Sequence, residues 1–162
     1  MKNHQVRLRR FPEGLPVEDD FELVESRTPV LEEGQVLVRT RYLSLDPYMR
    51  SQIAGRHLSG SIQPGDTMRG ETVGEVVEST VPGFQPGQLV RCFGGWQEAS
   101  VHPAAELHAV SPEIKPPSYA LSLLGMTGLT AWAGMIWQAG LKAGDRVLIP
   151  AVTGGPAAPG IR

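Results

Sequence analysis

Tyr42-Leu43-Ser44-Leu45-Asp46-Pro47-Tyr48-Met49-Arg50 gathers a phenol, a thioether and a guanidinium where a strand runs into a proline turn. A strand ending at Asp46 and turning at Pro47 projects Tyr48, Met49 and Arg50 from the start of an irregular stretch, the geometry of a pocket wall. The same residues also read as a plain proline turn with two core-facing side chains, and the segment alone does not separate the two. Met126-Thr127-Gly128-Leu129-Thr130-Ala131-Trp132 is the second such run. A helix break at Thr127-Gly128 lets backbone approach a flat ring closely, and Thr130 offers a hydroxyl in the first turn of a new helix. Its plain alternative is a helix–turn–helix with Met126 as core filler. The third is Asp145 to Ala151, read as a short buried strand that enters Thr153-Gly154-Gly155. Small residues there let a pyrophosphate sit against backbone N–H groups at a helix N-terminus. Pro156 and then Pro159-Gly160 follow, however, and Pro159 cannot lead into a stable helix.

Other chemistries are set aside by spacing. The four histidines, His4, His57, His102 and His108, have no Cys or carboxylate at ligand spacing, so no metal site is expected. The single cysteine, Cys92, excludes an intrachain disulfide and reads as a buried, inert thiol. No serine nucleophile elbow and no Cys–His pairing is visible. A net charge of −2, with basic residues scattered, argues against nucleic acid and anionic membrane as partners. Residues 1–10 lack the apolar run of a signal peptide, and no apolar run reaches the length of a spanning helix. These features predict a soluble, cytoplasmic protein of a reducing compartment.

The elements that must position these groups follow from periodicity. Gly and Pro number 19 and 14, spread along the chain, so short strands between turns are expected. Predicted strands cover 5–9, 21–24, 35–45, 72–78, 88–93 and 96–101. In the longest, Val36, Val38, Thr40, Tyr42 and Ser44 share one face, and Leu37, Leu43 and Leu45 the other. Residues 46–70 form a long irregular stretch, a length that is usually functional or mobile. Ser118 is a candidate N-cap for a helix over 119–126, and a second helix is predicted over 129–139, with Gly140 as its C′ residue. Gly144 turns the chain into the final strand. The order is a β-rich domain over 1–115, two helices, one strand and a glycine turn.

In this order the segments resemble the medium-chain dehydrogenase/reductase superfamily, and within it the zinc-independent, NADPH-dependent enone reductases. That branch includes leukotriene B4 12-hydroxydehydrogenase, prostaglandin reductase and 2-alkenal reductase. The resemblance rests on the runs Tyr42–Arg50 and Met126–Trp132, with support from residues 65–70, residues 74–79 and the opening strand pair. It implies a mainly β chain with an α/β start: a GroES-like, partly open β-barrel over 1–115, then, over 116–162, connecting helices and the first strand of a truncated Rossmann domain. In the zinc branch a His follows the glycine matching Gly70; here Glu71 stands there.

By that resemblance Pro47 and Tyr48 wall the substrate cleft, and Met126, Thr130, Thr153, Gly154 and Gly155 contact the cofactor, NADPH. The implied reaction reduces the C=C bond of an α,β-unsaturated ketone or aldehyde by hydride transfer, with the family's tyrosine expected beyond this chain's end. The loss of pattern after Gly155 is what a reading-frame shift would produce, and it implies a truncated, inactive form. Two alternatives stay open: a non-enzymatic GroES-like binding or dimerising module, and a quinone oxidoreductase. Leu121, Leu124, Met135, Ile136, Val147 and Ile149 are expected to form an apolar patch through which the helices associate, in a homodimer for example.

Overall fold

Short strands cut by glycine and proline turns build the first of two units, Met1–Ser111 and Pro112–Arg162. The structure, a computed structural model, describes residues 2–55 and 60–149. In the first unit β1 (Lys2–Leu8) pairs antiparallel with β2 (Phe21–Arg27), from Lys2↔Arg27 to Leu8↔Phe21. A five-stranded antiparallel sheet contains β3 (Gln35–Leu43), β4 (Thr72–Ser79), β5 (Leu89–Cys92), β6 (Ala99–Pro103) and β7 (His108–Ala109), in the order β6-β3-β4-β5-β7. The second edge of β1 bonds elsewhere: the Val6 N–H donates to Trp96 O at 2.8 Å, and the Met68 N–H donates to Val6 O at 2.9 Å. These bonds join the two sheets without closing them, giving the mainly β, partly open arrangement expected.

β6 begins three residues later than predicted. Residues 96–98 bend across instead: the Trp96 N–H donates to Met68 O at 2.8 Å, Gln97 bridges to Gln5 and the Glu98 N–H donates to His4 O, while Glu98 O already accepts from the Thr40 N–H of β3 at 2.8 Å. The regular ladder with β3 starts at Ala99, opposite Arg39. Asn3 pins this change of partner. It is fully buried, its Nδ2 donates to Ala99 O at 2.9 Å, and its Oδ1 accepts from the Ala99 N–H at 3.0 Å. Asn3→Leu leaves both backbone groups buried and unpaired, and is expected to cost about 2 kcal/mol, read as a lowered midpoint in urea unfolding.

The strict alternation predicted along β3 fails at one residue. Thr40 faces Gly74 across the ladder and Tyr42 faces Val73, so Arg41 is an extra, bulged residue. A bulge shifts the two-residue period by one. Val36 and Val38 stay in the core with Val76, Val90, Cys92 and Leu107, whereas Tyr42 is 40% exposed.

The irregular stretch 46–70 is more structural than its composition suggests. Tyr48–Gln52 forms a short helix, α1, and Ile53, Ile62 and Met68 join Leu8 in a second buried cluster. Phe21 and Trp96 pack against that cluster, their rings stacked with centroids 6.5 Å apart.

The second unit departs from prediction in three ways. A 3₁₀ helix over Pro117–Leu121 replaces the α-helix predicted to Met126, and Pro116, not Ser118, stands at the capping position. The turn stops because Ser122 leaves the helical region, at φ −124° and ψ −95°. Next, α2 (Met126–Trp132) runs straight through Thr127 and Gly128, which were predicted to break it, and continues as a π-helical segment over Ala133–Gln138. The break lies at Gly125, and the Leu123 carbonyl lies where a Cβ on Gly128 would stand, so glycine there serves packing. Finally, residues 145–149 form no strand, with Leu148 90% exposed. A lone strand without neighbours has no partner for its backbone groups. No helix among the described residues is long and apolar enough to cross a membrane.

Candidate functional site

The run Tyr42–Arg50 scatters its three chemically able side chains. Pro47 is exposed at the start of α1, and Tyr48, its first residue, is part-buried. Met49 is only 7% exposed and belongs to the core, while the Arg50 guanidinium donates to the Gly14 carbonyl and fastens the 10–17 loop. Successive residues of a helix point about 100° apart, so one turn cannot aim all three at a common ligand. Of the predicted trio, Tyr48 alone is part-buried at the start of α1, with the exposed Pro47 beside it. Two surface hollows of about 390 and 200 Å³, over residues 77–86 and around Arg10 and Asp20, include neither.

What gathers around Tyr48 instead is a set of charges drawn from three strands and a turn. The Ser44 N–H donates to Glu71 O at 2.9 Å, joining the end of β3 to the residue before β4. Ser44 Oγ donates to Asp46 Oδ2 at 2.7 Å. From β5, Arg91 Nε stands 3.4 Å from Glu71 Oε1, and His108 of β7 pairs with Arg91 in register. Burial pushes the Tyr48 phenol above its ordinary pKa, and the carboxylates of Asp46 and Glu71 push it the same way. The phenol therefore keeps its proton at neutral pH and can donate a hydrogen bond. Burial also raises Glu71 above the usual carboxylate range; Arg91 opposes the rise and Asp46 adds to it.

The neighbourhood is tight on the core side. A Cβ on Gly70 would stand 2.9 Å from Leu43 Cδ1, 3.1 Å from Met49 Cε and 3.3 Å from Trp96 Nε1. Gly70 thus lets Leu43, Met49 and Trp96 close beneath α1.

In the second unit Met126 and Thr130 sit one turn apart on α2 and share a face. Met126 is 68% exposed, and Thr130 Oγ1 donates to Met126 O at 2.8 Å. That bond leaves the hydroxyl's lone pairs open. Thr153, Gly154 and Gly155 lie outside the described residues. Of the apolar patch, Leu124 and Ile136 are exposed as expected, but Leu121 is 7% exposed and buried. The 3₁₀ turn carries it inward. Met126, Leu129, Trp132 and Trp137 are exposed as well.

With this geometry in hand, residues 4–110 match a protein family described as the N-terminal domain of oxidoreductase. The chain belongs to this family. The match takes in Pro47, Tyr48, Glu71 and Arg91, and ends before α2. Among relatives of this oxidoreductase family, an NADPH-dependent curcumin reductase of Escherichia coli (strain K12) is 38% identical over 154 residues, 94% of this chain and 45% of that protein. An NADP(+)-dependent 2-alkenal reductase of Nicotiana tabacum is 38% identical over 162 residues, 95% of this chain and 47% of its own length. The crystal structure of CurA from Vibrio vulnificus superimposes with a TM-score of 0.86 at 33% identity, covering 97% of this chain and 47% of that one. A further CurA structure, in complex with NADPH, matches equally well at 32% identity. These relatives support the resemblance to the zinc-independent enone reductase branch of the medium-chain dehydrogenase/reductase superfamily. The chain spans about half the length of the relatives it matches.

The sequence reading identified Glu71 only as the residue standing where the zinc branch has histidine. Its pairing with Arg91 went unseen, since Glu71 precedes β4 and Arg91 lies on the neighbouring β5, twenty residues further on. The one available signal was the even spacing of strand runs on either side, which brings residue 71 opposite the end of β5. A stability prediction follows. A carboxyl with a raised folded pKa is least costly when protonated, so its contribution is full below the ordinary Glu range and is lost as pH rises through the folded value. Glu71→Gln is expected to shrink the decline in Tm from roughly pH 4 to pH 7, measured by thermal unfolding at stepped pH.

Proposed function

We propose that this chain forms the substrate-side part of an NADPH-dependent reductase acting on the C=C bond of α,β-unsaturated ketones and aldehydes. Residues 1–115 serve as the GroES-like substrate domain, and residues 116–162 begin the NADP-binding domain. The observation that carries this reading is the joint likeness, above 30% identity and across nearly the whole chain, to a curcumin reductase, a 2-alkenal reductase and CurA. When bound, NADPH supplies a hydride to the β-carbon of the enone. The exposed Met126 thioether and the Thr130 hydroxyl, one turn apart on α2, suit a flat apolar ring with a polar rim and would hold the nicotinamide. Thr153, Gly154 and Gly155 would meet the pyrophosphate. On the substrate side, Pro47 and Tyr48 wall the cleft, and the protonated phenol donates to a carbonyl oxygen or to a water on it.

The test joins residues 1–149 to the nucleotide-binding half of the Escherichia coli curcumin reductase and follows NADPH consumption with benzylideneacetone. Turnover that falls on Tyr48→Phe supports the reading. A folded, NADPH-binding fusion that reduces no enone sinks it. A second reading, a non-enzymatic module that dimerises, draws on the exposed Leu124, Leu129, Trp132 and Trp137. Light scattering of the chain decides it: a clean monomer at high concentration excludes that module.

A further inference from the structure

We propose that Glu71 is a specificity-determining residue: together with Asp46 it keeps the surroundings of Tyr48 negative, so the site takes uncharged enones and turns away those that carry a carboxylate. The inference rests on the substrate cleft lying at Pro47 and Tyr48, as proposed above.

Three observations carry it. Asp46 and Glu71 are brought together by backbone and side-chain bonds through Ser44, so their adjacency to Tyr48 is built into the end of β3. The Glu71 carboxylate is 17% exposed and the Arg91 guanidinium 29%, so water screens this pair poorly. Arg91, moreover, is the cation a carboxylated substrate would seek, and Glu71 already occupies it at 3.4 Å. One cation against two carboxylates leaves the local balance negative, with His108 opposite Arg91 in the ladder. Both phenol and carboxyl respond to this crowding, each pushed toward its neutral form.

Arg91 makes the idea sharper than simple repulsion. Removing the Glu71 charge abolishes a like-charge penalty and at the same stroke frees a guanidinium for bidentate capture of a carboxylate. Removing Arg91 instead leaves Glu71 uncompensated and deepens the rejection. The two variants therefore move selectivity in opposite directions, which a general loss of structure would not do.

The experiment titrates the intact chain with benzylideneacetone and with its carboxylated counterpart benzoylacrylate, following the Tyr48 ring and amide resonances by NMR. The wild type is expected to bind the neutral ketone about tenfold more tightly or better, a difference of ~1.4 kcal/mol. E71Q is expected to close or invert that gap by tightening the carboxylated compound far more than the neutral ketone, and R91Q to widen it. Titration of the Tyr48 phenol supplies a reading independent of any ligand, its pKa expected to fall in E71Q. Equal affinity of the two compounds in the wild type overturns the proposal, as does an unaltered gap or an unaltered phenol titration in E71Q. Binding of neither compound at Tyr48 overturns the location of the cleft and the selectivity with it, whereas equal binding there removes the selectivity alone.

Discussion

Gly74→Ala is expected to destabilise the first unit by about 3 kcal/mol or more, enough to remove a large share of the 5–15 kcal/mol typical of a domain. Gly74 is buried in the middle of β4, opposite Thr40 on β3 and Val90 on β5. A Cβ there would press on Val38 Cγ1 and stand 2.7 Å from the carbonyl oxygen of Arg39. Val38 is itself 1% exposed and locked among Val36, Val76, Val90, Cys92 and Leu107. It cannot swing aside without opening a void elsewhere, because cores pack at crystal density. The carbonyl cannot retreat either, since it belongs to the ladder that carries the Arg41 bulge. The extra residue bends β3 toward β4 at this point, and only a residue without a side chain fits beneath the bend. Gly83→Ala is the matched control, because a Cβ at Gly83 meets nothing within 4 Å. Urea unfolding of both variants against the wild type decides the matter. A Gly74→Ala midpoint indistinguishable from the control would mean that β3 and β4 part more easily than their packing allows.

That bulge also explains what could and could not be read from the sequence. The cores of β3 and β5 were legible because half-buried strands impose a two-residue period on residue type, and Val36 with Val38, and Val90 with Cys92, obey it. Gly140 and Gly144 were legible because each takes a positive φ, 63° and 94°, that other residues avoid. Periodicity is blind to a single inserted residue, so Tyr42 was assigned to the wrong face. It is blind too where strands change partners, and β6 was predicted to begin at Trp96 instead of Ala99. A strand over 145–151 was read from its apolar residues, yet pairing decides strands and none is made over its described part, 145–149. The same division holds at the site. Tyr48 stood out because proline, a phenol and a strand end coincide within three residues. Glu71 and Arg91 did not, since what joins them is the lateral register of β4 and β5, a property of the fold alone.

Ile62→Ala is expected to cost about 2–5 kcal/mol, a core-sized loss from a segment whose composition reads as loop. Ile62 has no exposed surface and packs in the cluster of Leu8, Ile53 and Met68. Its N–H donates to the carbonyl of Gln52, the last residue of α1, at 3.3 Å. Truncating the side chain forfeits both the transfer of its methyl groups from water and the contacts lining the hole left behind. Ile62→Val, which keeps the branched Cβ, is expected to cost only ~0.5–1.5 kcal/mol, so the pair of variants separates packing from any general intolerance of change. The consequence reaches the candidate site. Leu8, Ile53 and Ile62 are the floor on which the C-terminal end of α1 rests, and Tyr48 opens that same helix. A floor that sags lets the single turn of α1 fray, because five residues cannot hold a helix without tertiary support. Amide exchange of Met49 and Ile53, both bonded to carbonyls in this turn, should therefore quicken in Ile62→Ala by more than the global loss of stability explains. Exchange that tracks global unfolding alone would show that Tyr48 is positioned by the end of β3 and not by the cluster beneath it.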